Sequence, residues 1–194
     1  MPNAPRETPT FEKCLKTLHL TIELASQSHK VWLEVGHFVA RNQHFPLTRY
    51  LIRSSFLTMI IELFKPLDRN RKSYSFRMLL RLAKRQGGTA DKTTCAMVSD
   101  MLPLWRKIKL LRHKAYAHLD SGRTIASLLV ETGNNAEDFE TLLKAYEVCL
   151  MHIYRTQGLR FTPLQEANDL LDADLSTTTK SLATAAGYPY SWYK

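Results

Sequence analysis

Nowhere in the chain do apolar residues run for anything near the roughly 20 positions that a membrane-spanning helix needs. The most apolar stretch, Phe56 to Phe64, is interrupted by Thr58 and Glu62. The opening residues, MPNAPRETPTFE, hold no apolar signal-peptide core, so no membrane partner and a cytoplasmic location are expected. Cysteine is scarce: Cys14, Cys95 and Cys149 are odd in number and far apart, which leads to the expectation of reduced, buried thiols. The chain has no His-Glu-x-x-His, no paired carboxylates and no Cys/His cluster, so the sequence offers no metal ligands and suggests no cofactor. Strand-type alternation and internal repeats are missing too, and helices are what remains.

Acidic residues are short in one place. Residues 41–123 carry eighteen Lys/Arg against five Asp/Glu, a local excess of +13 within a total of +9. Residues 1–40 balance, with four of each sign, and residues 124–194 carry five basic against nine acidic groups. An excess this local concentrates polyanions and speeds their encounter. The plainer alternative is a solvated face kept soluble by its charge. The abundance of arginine beside aromatic residues favours an anionic partner.

Helical periodicity predicts an all-α antiparallel bundle of about five main helices. A flexible arm (1–10) with three prolines precedes a helix over 11–41, in which Gly36 and the Ser26–Ser28 region are weak points for a bend. Asn42 to Pro46 reads as a turn. Thr48 to Lys65 follows, apolar on most sides and therefore central, with Ser55, Thr58 and Glu62 in one narrow polar stripe. Ser73 is the expected N-cap of a short helix over 74–86, which presents Arg77, Arg81, Lys84 and Arg85 as a basic ridge and ends before Gly87-Gly88. A fourth helix covers 92–119 with a kink expected at Pro103. Residues 120–135 read mostly as loop, with a brief extension left open at Thr124 to Val130, and a fifth helix covers 136–155. The bundle thus spans 11–156, a short acidic helical extension 157–176 and a flexible tail 177–194. The acidic stretch 163–174 is a candidate to fold over the basic surface and restrain it.

The chemistry-bearing segment is Leu110-Leu111-Arg112-His113-Lys114-Ala115-Tyr116-Ala117-His118-Leu119-Asp120. At 100° per residue, Met101, Leu104, Ile108, Leu111 and Ala115 define one buried face. Arg112 falls about 60° to one side of it and His118 about 60° to the other, whereas Arg106 and His113 point away from it. Along an ideal helix Arg112 and His118 are about 120° and 9 Å apart. The remaining histidines, among them His19, His29, His37 and His152, show no convergent spacing and receive no role.

This segment resembles the HEPN superfamily of small helical bundles, in which an arginine, often followed by a polar residue such as His113, precedes a histidine by a few positions. The run ending Ala117-His118-Leu119-Asp120 looks most like its abortive-infection, toxin-like branch. The resemblance covers about residues 11–156, with its specific part in these eleven residues. It implies a metal-independent endoribonuclease of phage defence, toxin–antitoxin systems or stress response. Arg112 would bind phosphate and His118 would act as general acid or base, with no cofactor. His113, Lys114 and Tyr116, with Arg77, Arg81 and Arg85, are candidates for substrate contact, although Tyr116 and Trp105 equally suit packing. Glu62 and Asp120 are candidates to hold Arg112. The implied partners are RNA, a second copy whose motif faces the same cleft and, as a further candidate, an antitoxin. Asp120 stands where some members carry a tyrosine modified by a partner nucleotidyltransferase, so that regulation is not implied. Two other functions remain open: a non-catalytic HEPN-like module holding RNA or nucleotide, and an α-helical interaction protein with an acidic partner.

Overall fold

Thr10 starts the first helix by accepting the Lys13 N–H on its side-chain oxygen at 3.2 Å, so the expected arm already holds a helix cap. In the computed structural model the described residues are 9–41, 46–70, 73–85, 91–118, 123–164, 166, 168, 169 and 171, with the side chains of 37–41, 46–48 and 118 excluded. Residues 42–45 of the turn expected at 42–46, Gly87-Gly88, Leu119, Asp120 and the tail 177–194 therefore lie outside the described residues, and Pro46 opens a helix instead.

Helix α1 spans Phe11–Arg41 without a break. It buries Cys14, Leu15, Leu18, Ile22 and Ala25 at helical spacing. The expected bend does not occur: Ser26 and Ser28 are buried within the helix, and Gly36 sits in it with open space where a Cβ would be. Helix α2, Pro46–Phe64, begins four residues after α1 ends and so must run back along it. It packs on α1, α4 and α6, the central position that its apolar surface predicts. Pro66 closes it in a 3-10 turn, Lys65–Leu67.

Helix α3, Phe76–Arg85, buries Phe76 and Leu79 and packs on α1 and the 3-10 turn. Its cap is Ser75, whose Oγ accepts from the Met78 N–H at 3.4 Å. The expected cap, Ser73, instead donates to Asp68 at 2.7 Å and ties the preceding loop. Helix α4, Lys92–His118, contains Pro103 and continues through it as one element. Asp91 caps it, accepting from the Thr93 and Thr94 N–H groups at 3.1 and 3.2 Å.

Residues 120–135, expected to be mostly loop, contain helix α5, Ile125–Thr132. Thr124 caps its start and Gly133, at φ 64°, ends it in the left-handed conformation. The turn signals on both sides hid the eight residues between them. Helix α6, Ala136–Thr156, opens on an Asn135/Asp138 capping box and buries Phe139, Leu142, Leu143, Tyr146, Cys149, Leu150 and Ile153.

The fold is thus an all-α bundle of six helices among the described residues, α5 being the one beyond expectation. None of them is long and apolar enough to cross a membrane. All three cysteines are free thiols, Cys14 and Cys149 buried and Cys95 half-buried. The described residues of the segment after α6 pack on α1 and α6, where Asn168 donates to Ser26 and the Leu164 N–H donates to Glu147; residues 172–174 of the acidic stretch expected to restrain the basic surface lie outside the described residues.

Candidate functional site

Helix α4 buries Met101, Trp105, Ile108, Leu111 and Ala115, close to the face read from periodicity, with Leu104 half-buried at its edge. Arg106 and His113 are exposed on the far side, and Arg112 is half-buried at the border. What holds Arg112 is aromatic. Its guanidinium carbon lies 4.2 Å from the centre of the Phe64 ring, and Tyr116 flanks it at 5.8 Å. Phe64 in turn stacks on Trp105, with centroids 5.1 Å apart and planes 20° off parallel. Trp105 donates its indole N–H to the Phe64 carbonyl at 2.9 Å. The Tyr146 hydroxyl donates to the preceding carbonyl, Leu63, at 2.8 Å. Two side chains from other helices thus satisfy carbonyls that the end of α2 leaves open, and they fix Phe64 beneath the arginine.

No carboxylate pairs with Arg112 among the described residues, and its Nε is buried without a hydrogen-bond partner. The sequence assigned Glu62 to hold it, and that assignment is corrected: the Glu62 carboxylate, nearly buried, takes the Lys65 ammonium. The physical reason is proximity, since Lys65 is one helical turn further along the same chain. Asp120, the other assigned partner, lies outside the described residues. His118 is the last residue of α4, and its side chain is not among those described.

Of the substrate-contact candidates, His113 is exposed and Tyr116 keeps 54% of its surface open, so both are accessible. Trp105, at 4%, is a packing residue. Lys114 differs from expectation. Its ammonium pairs with Glu131 of α5, which also receives Arg123 at 2.6 Å, so it staples α5 to α4. Arg77, Arg81 and Arg85 are exposed on α3. Helix α3 packs on α1 and on the 3-10 turn that follows Phe64, which α4 also touches.

Several side chains without an assigned role are engaged. His152 Nε2 donates to Asp91 and links α6 to the start of α4; this hydrogen bond, with those from the Thr93 and Thr94 region, holds the Asp91 carboxyl at about 2. The signal was present in Asp91-Lys92-Thr93-Thr94, a cap sequence, but its partner sixty-one residues away leaves no local pattern. His19 is hydrogen-bonded to Tyr154 at 3.0 Å and stacked on Phe161. Burial pushes the Cys14 thiol up to about 11 and the Cys149 thiol up to about 12, which makes both inert packing groups. No three His, Cys, Asp or Glu side chains among the described residues are placed to hold a metal ion.

What the described residues define is a six-helix bundle with an arginine on its fourth helix that is backed by aromatic rings and meets no carboxylate among them. Compared with known proteins, the chain matches no family model, no curated protein and no solved structure.

Proposed function

We propose that the chain is a metal-independent endoribonuclease of HEPN type, acting in phage defence, a toxin–antitoxin pair or a stress response. The observation that carries this reading is Arg112: an arginine at a core border, its guanidinium carbon 4.2 Å from the Phe64 ring centre, with no carboxylate partner among the described residues. A guanidinium in that state presents donors suited to phosphate oxygens. His118, six positions on at the end of the same helix, supplies a group that titrates near neutrality.

The reaction follows from RNA's own chemistry. The 2′-oxygen attacks the adjacent phosphorus while a His118 imidazole takes its proton. The P–O5′ bond breaks, the 5′-oxygen gains a proton, and the products are a 2′,3′-cyclic phosphate and a 5′-hydroxyl. Arg112 stabilises the charge that builds on the non-bridging oxygens. The roughly 9 Å rise between the two residues is closed by a second copy, whose His118 and Arg112 face the same scissile phosphate from across a shared cleft. Tyr116 borders that cleft, His113 on the far side of α4 does not, and Arg77, Arg81 and Arg85 hold the RNA backbone from α3. Lys114 positions α5 instead of touching substrate.

The test is cleavage of a labelled RNA by purified protein in the presence of a chelator. We expect cyclic-phosphate ends, no cleavage when the 2′-hydroxyl at the scissile position is replaced by hydrogen, and loss of cleavage in His118→Ala and Arg112→Ala. The exposed arginines of α3 favour one second reading, a module that binds RNA without cutting it. RNA binding with degradation equal in wild type and His118→Ala would select that reading. Binding to an acidic protein with no affinity for RNA would overturn both.

A further inference from the structure

Helix α4 holds its basic side chains in two different states. Lys107 pairs with Asp138 of α6 at 3.4 Å and Lys114 pairs with Glu131 of α5, so both end on carboxylates of the helices that follow. Lys109 and Arg112 meet no carboxylate among the described residues and lie against aromatic rings instead. The Lys109 ammonium is 5.8 Å from the centre of the Trp105 ring, and the Arg112 guanidinium carbon is 4.2 Å from that of Phe64. Trp105 and Phe64 are buried and stacked on each other. One aromatic pair thus carries a cation on each of its members.

Trp105, Lys109, Arg112 and Tyr116 recur at intervals of four, three and four residues. At 100° per residue they fall within about 60° of one another, in a single stripe about 16 Å long. Asp100, the one acidic residue of α4, lies about 140° round the helix from Trp105. A ring steadies a cation without supplying an anion to neutralise it, so the two charges stay available while their stems are held. A run of lysines kept for solubility has no need of that support.

Lys109 and Arg112 are about 4.5 Å apart along the axis. The phosphates of one strand rise by about 3.4 Å per nucleotide when the bases are stacked and by more when the strand is extended. Two long basic side chains at this step therefore reach successive phosphates. Tyr116, 54% exposed at the end of the same stripe, favours a polymer that carries flat bases as well as charge.

We propose that Lys109 binds the phosphate next to the one held by Arg112, so that the stripe from Trp105 to Tyr116 grips two successive phosphates of a nucleic-acid strand. This rests on Arg112 as the phosphate-binding group of the proposed function, and it adds a second substrate-binding residue to that site. One contact alone lets the strand pivot about Arg112. The second lays it along α4 and fixes which linkage the arginine meets. Lys107 and Lys114, neutralised by their carboxylates, take no part.

Binding of trinucleotides tests this, with every 2′-oxygen methylated so that none can be cut. One ligand carries both charged linkages, and in two others one linkage or the other is a neutral methylphosphonate. Wild type at low salt should bind the doubly charged ligand about fivefold more tightly than the better of the singly charged ones, the upper end for an exposed ion pair. Lys109→Met should reduce this difference to the statistical advantage of offering two linkages to Arg112, and Lys109→Arg should keep it. Lys92→Met removes the same charge about 25 Å away along α4 and should leave the difference intact. A difference that survives undiminished in Lys109→Met, or that Lys92→Met removes equally, overturns the proposal. So does a capped dipeptide of two aspartates that binds wild type as tightly as the doubly charged trinucleotide. Since these ligands cannot be cleaved, the ribonuclease reading is judged apart from this one. Wild type that cuts no RNA yet shows the Lys109-dependent difference overturns that reading and sustains the two-phosphate grip.

Discussion

Replacing Arg112 by methionine separates a residue retained for chemistry from one retained for stability. The change removes the guanidinium's contact with Phe64 at 4.2 Å, worth about 0.5–1 kcal/mol when exposed and up to about 2 when desolvated. It also removes a buried Nε–H without a partner, a group that costs about 1–3 kcal/mol in a folded state. Methionine keeps most of the stem packing and returns a sulfur–aromatic contact of about 0.3–1.5 kcal/mol on Phe64. Taken at their limits, these run from about 0.7 kcal/mol less stable to about 4 kcal/mol more stable, so the balance favours the variant. In a chain of this size each kcal/mol moves the midpoint by roughly 2–4 °C. Thermal and urea melts followed by helical circular dichroism measure it, alongside RNA cleavage. The expected pairing is an unchanged or raised Tm with cleavage lost. Arg112→Lys should also lose cleavage, since an ammonium keeps the charge without the planar fork. A loss of more than about 2 kcal/mol in Arg112→Met would mean that the arginine is a structural prop, and the argument from its unpaired state would fall.

Other substitutions probe the framework. Asp91→Asn should lower the urea midpoint at pH 7; because the folded carboxyl is held at about 2, below its ordinary value, its contribution is present above about pH 4 and is lost as pH falls toward 2, where wild type and variant should converge. Tyr146→Phe leaves the Leu63 carbonyl without its 2.8 Å donor in the core and should destabilise by about 1 kcal/mol in chemical denaturation. Lys114→Ala breaks a half-exposed pair with Glu131, so a stability change under about 1 kcal/mol and near-normal cleavage are expected. Substituting Arg77, Arg81 and Arg85 together by alanine should reduce the salt slope of RNA binding by about two, at roughly 0.7 per single-strand phosphate contact. An unchanged slope would remove α3 from the RNA interface.

The sequence showed α1, α2, α4 and α6 almost to the residue, because each carries an apolar stripe long enough to show its period. It missed α5, where Leu128 alone is fully buried and strong turn signals stand on either side. At the site, periodicity put Arg112 at the border of the α4 stripe, and the structure agrees. Periodicity could not reveal what Arg112 touches. Its support comes from Phe64 on α2, forty-eight positions earlier, and Phe64 is held by Trp105 and Tyr146 from two further helices. The assignment of Glu62 to Arg112 failed for the same reason, since a helical wheel shows which residues share a face and not which cation arrives first. His152 and Asp91, and His19 with Phe161, are likewise long-range pairs that no local spacing encodes.

Where polar groups go unpaired says where a bundle has been shaped by something other than its own stability. Among the described residues four buried side-chain atoms lack a partner: His29 Nε2, Arg112 Nε, Asn134 Oδ1 and Asn168 Oδ1. Asn134 is otherwise well tied, its amide donating to Thr132 Oγ1 at 2.8 Å in the turn that ends α5. The other three fall at two places, the α4 border and the seam under the C-terminal segment. Elsewhere the same helices satisfy demanding groups at long range, as the carbonyls of Leu63 and Phe64 illustrate. A chain able to cap those carbonyls from two other helices has the means to give Arg112 a carboxylate or to replace His29 by an apolar residue. At the α4 border such an unsatisfied donor is what the proposed phosphate contact of Arg112 requires, and Arg112→Met tests whether it is kept for that contact or for stability.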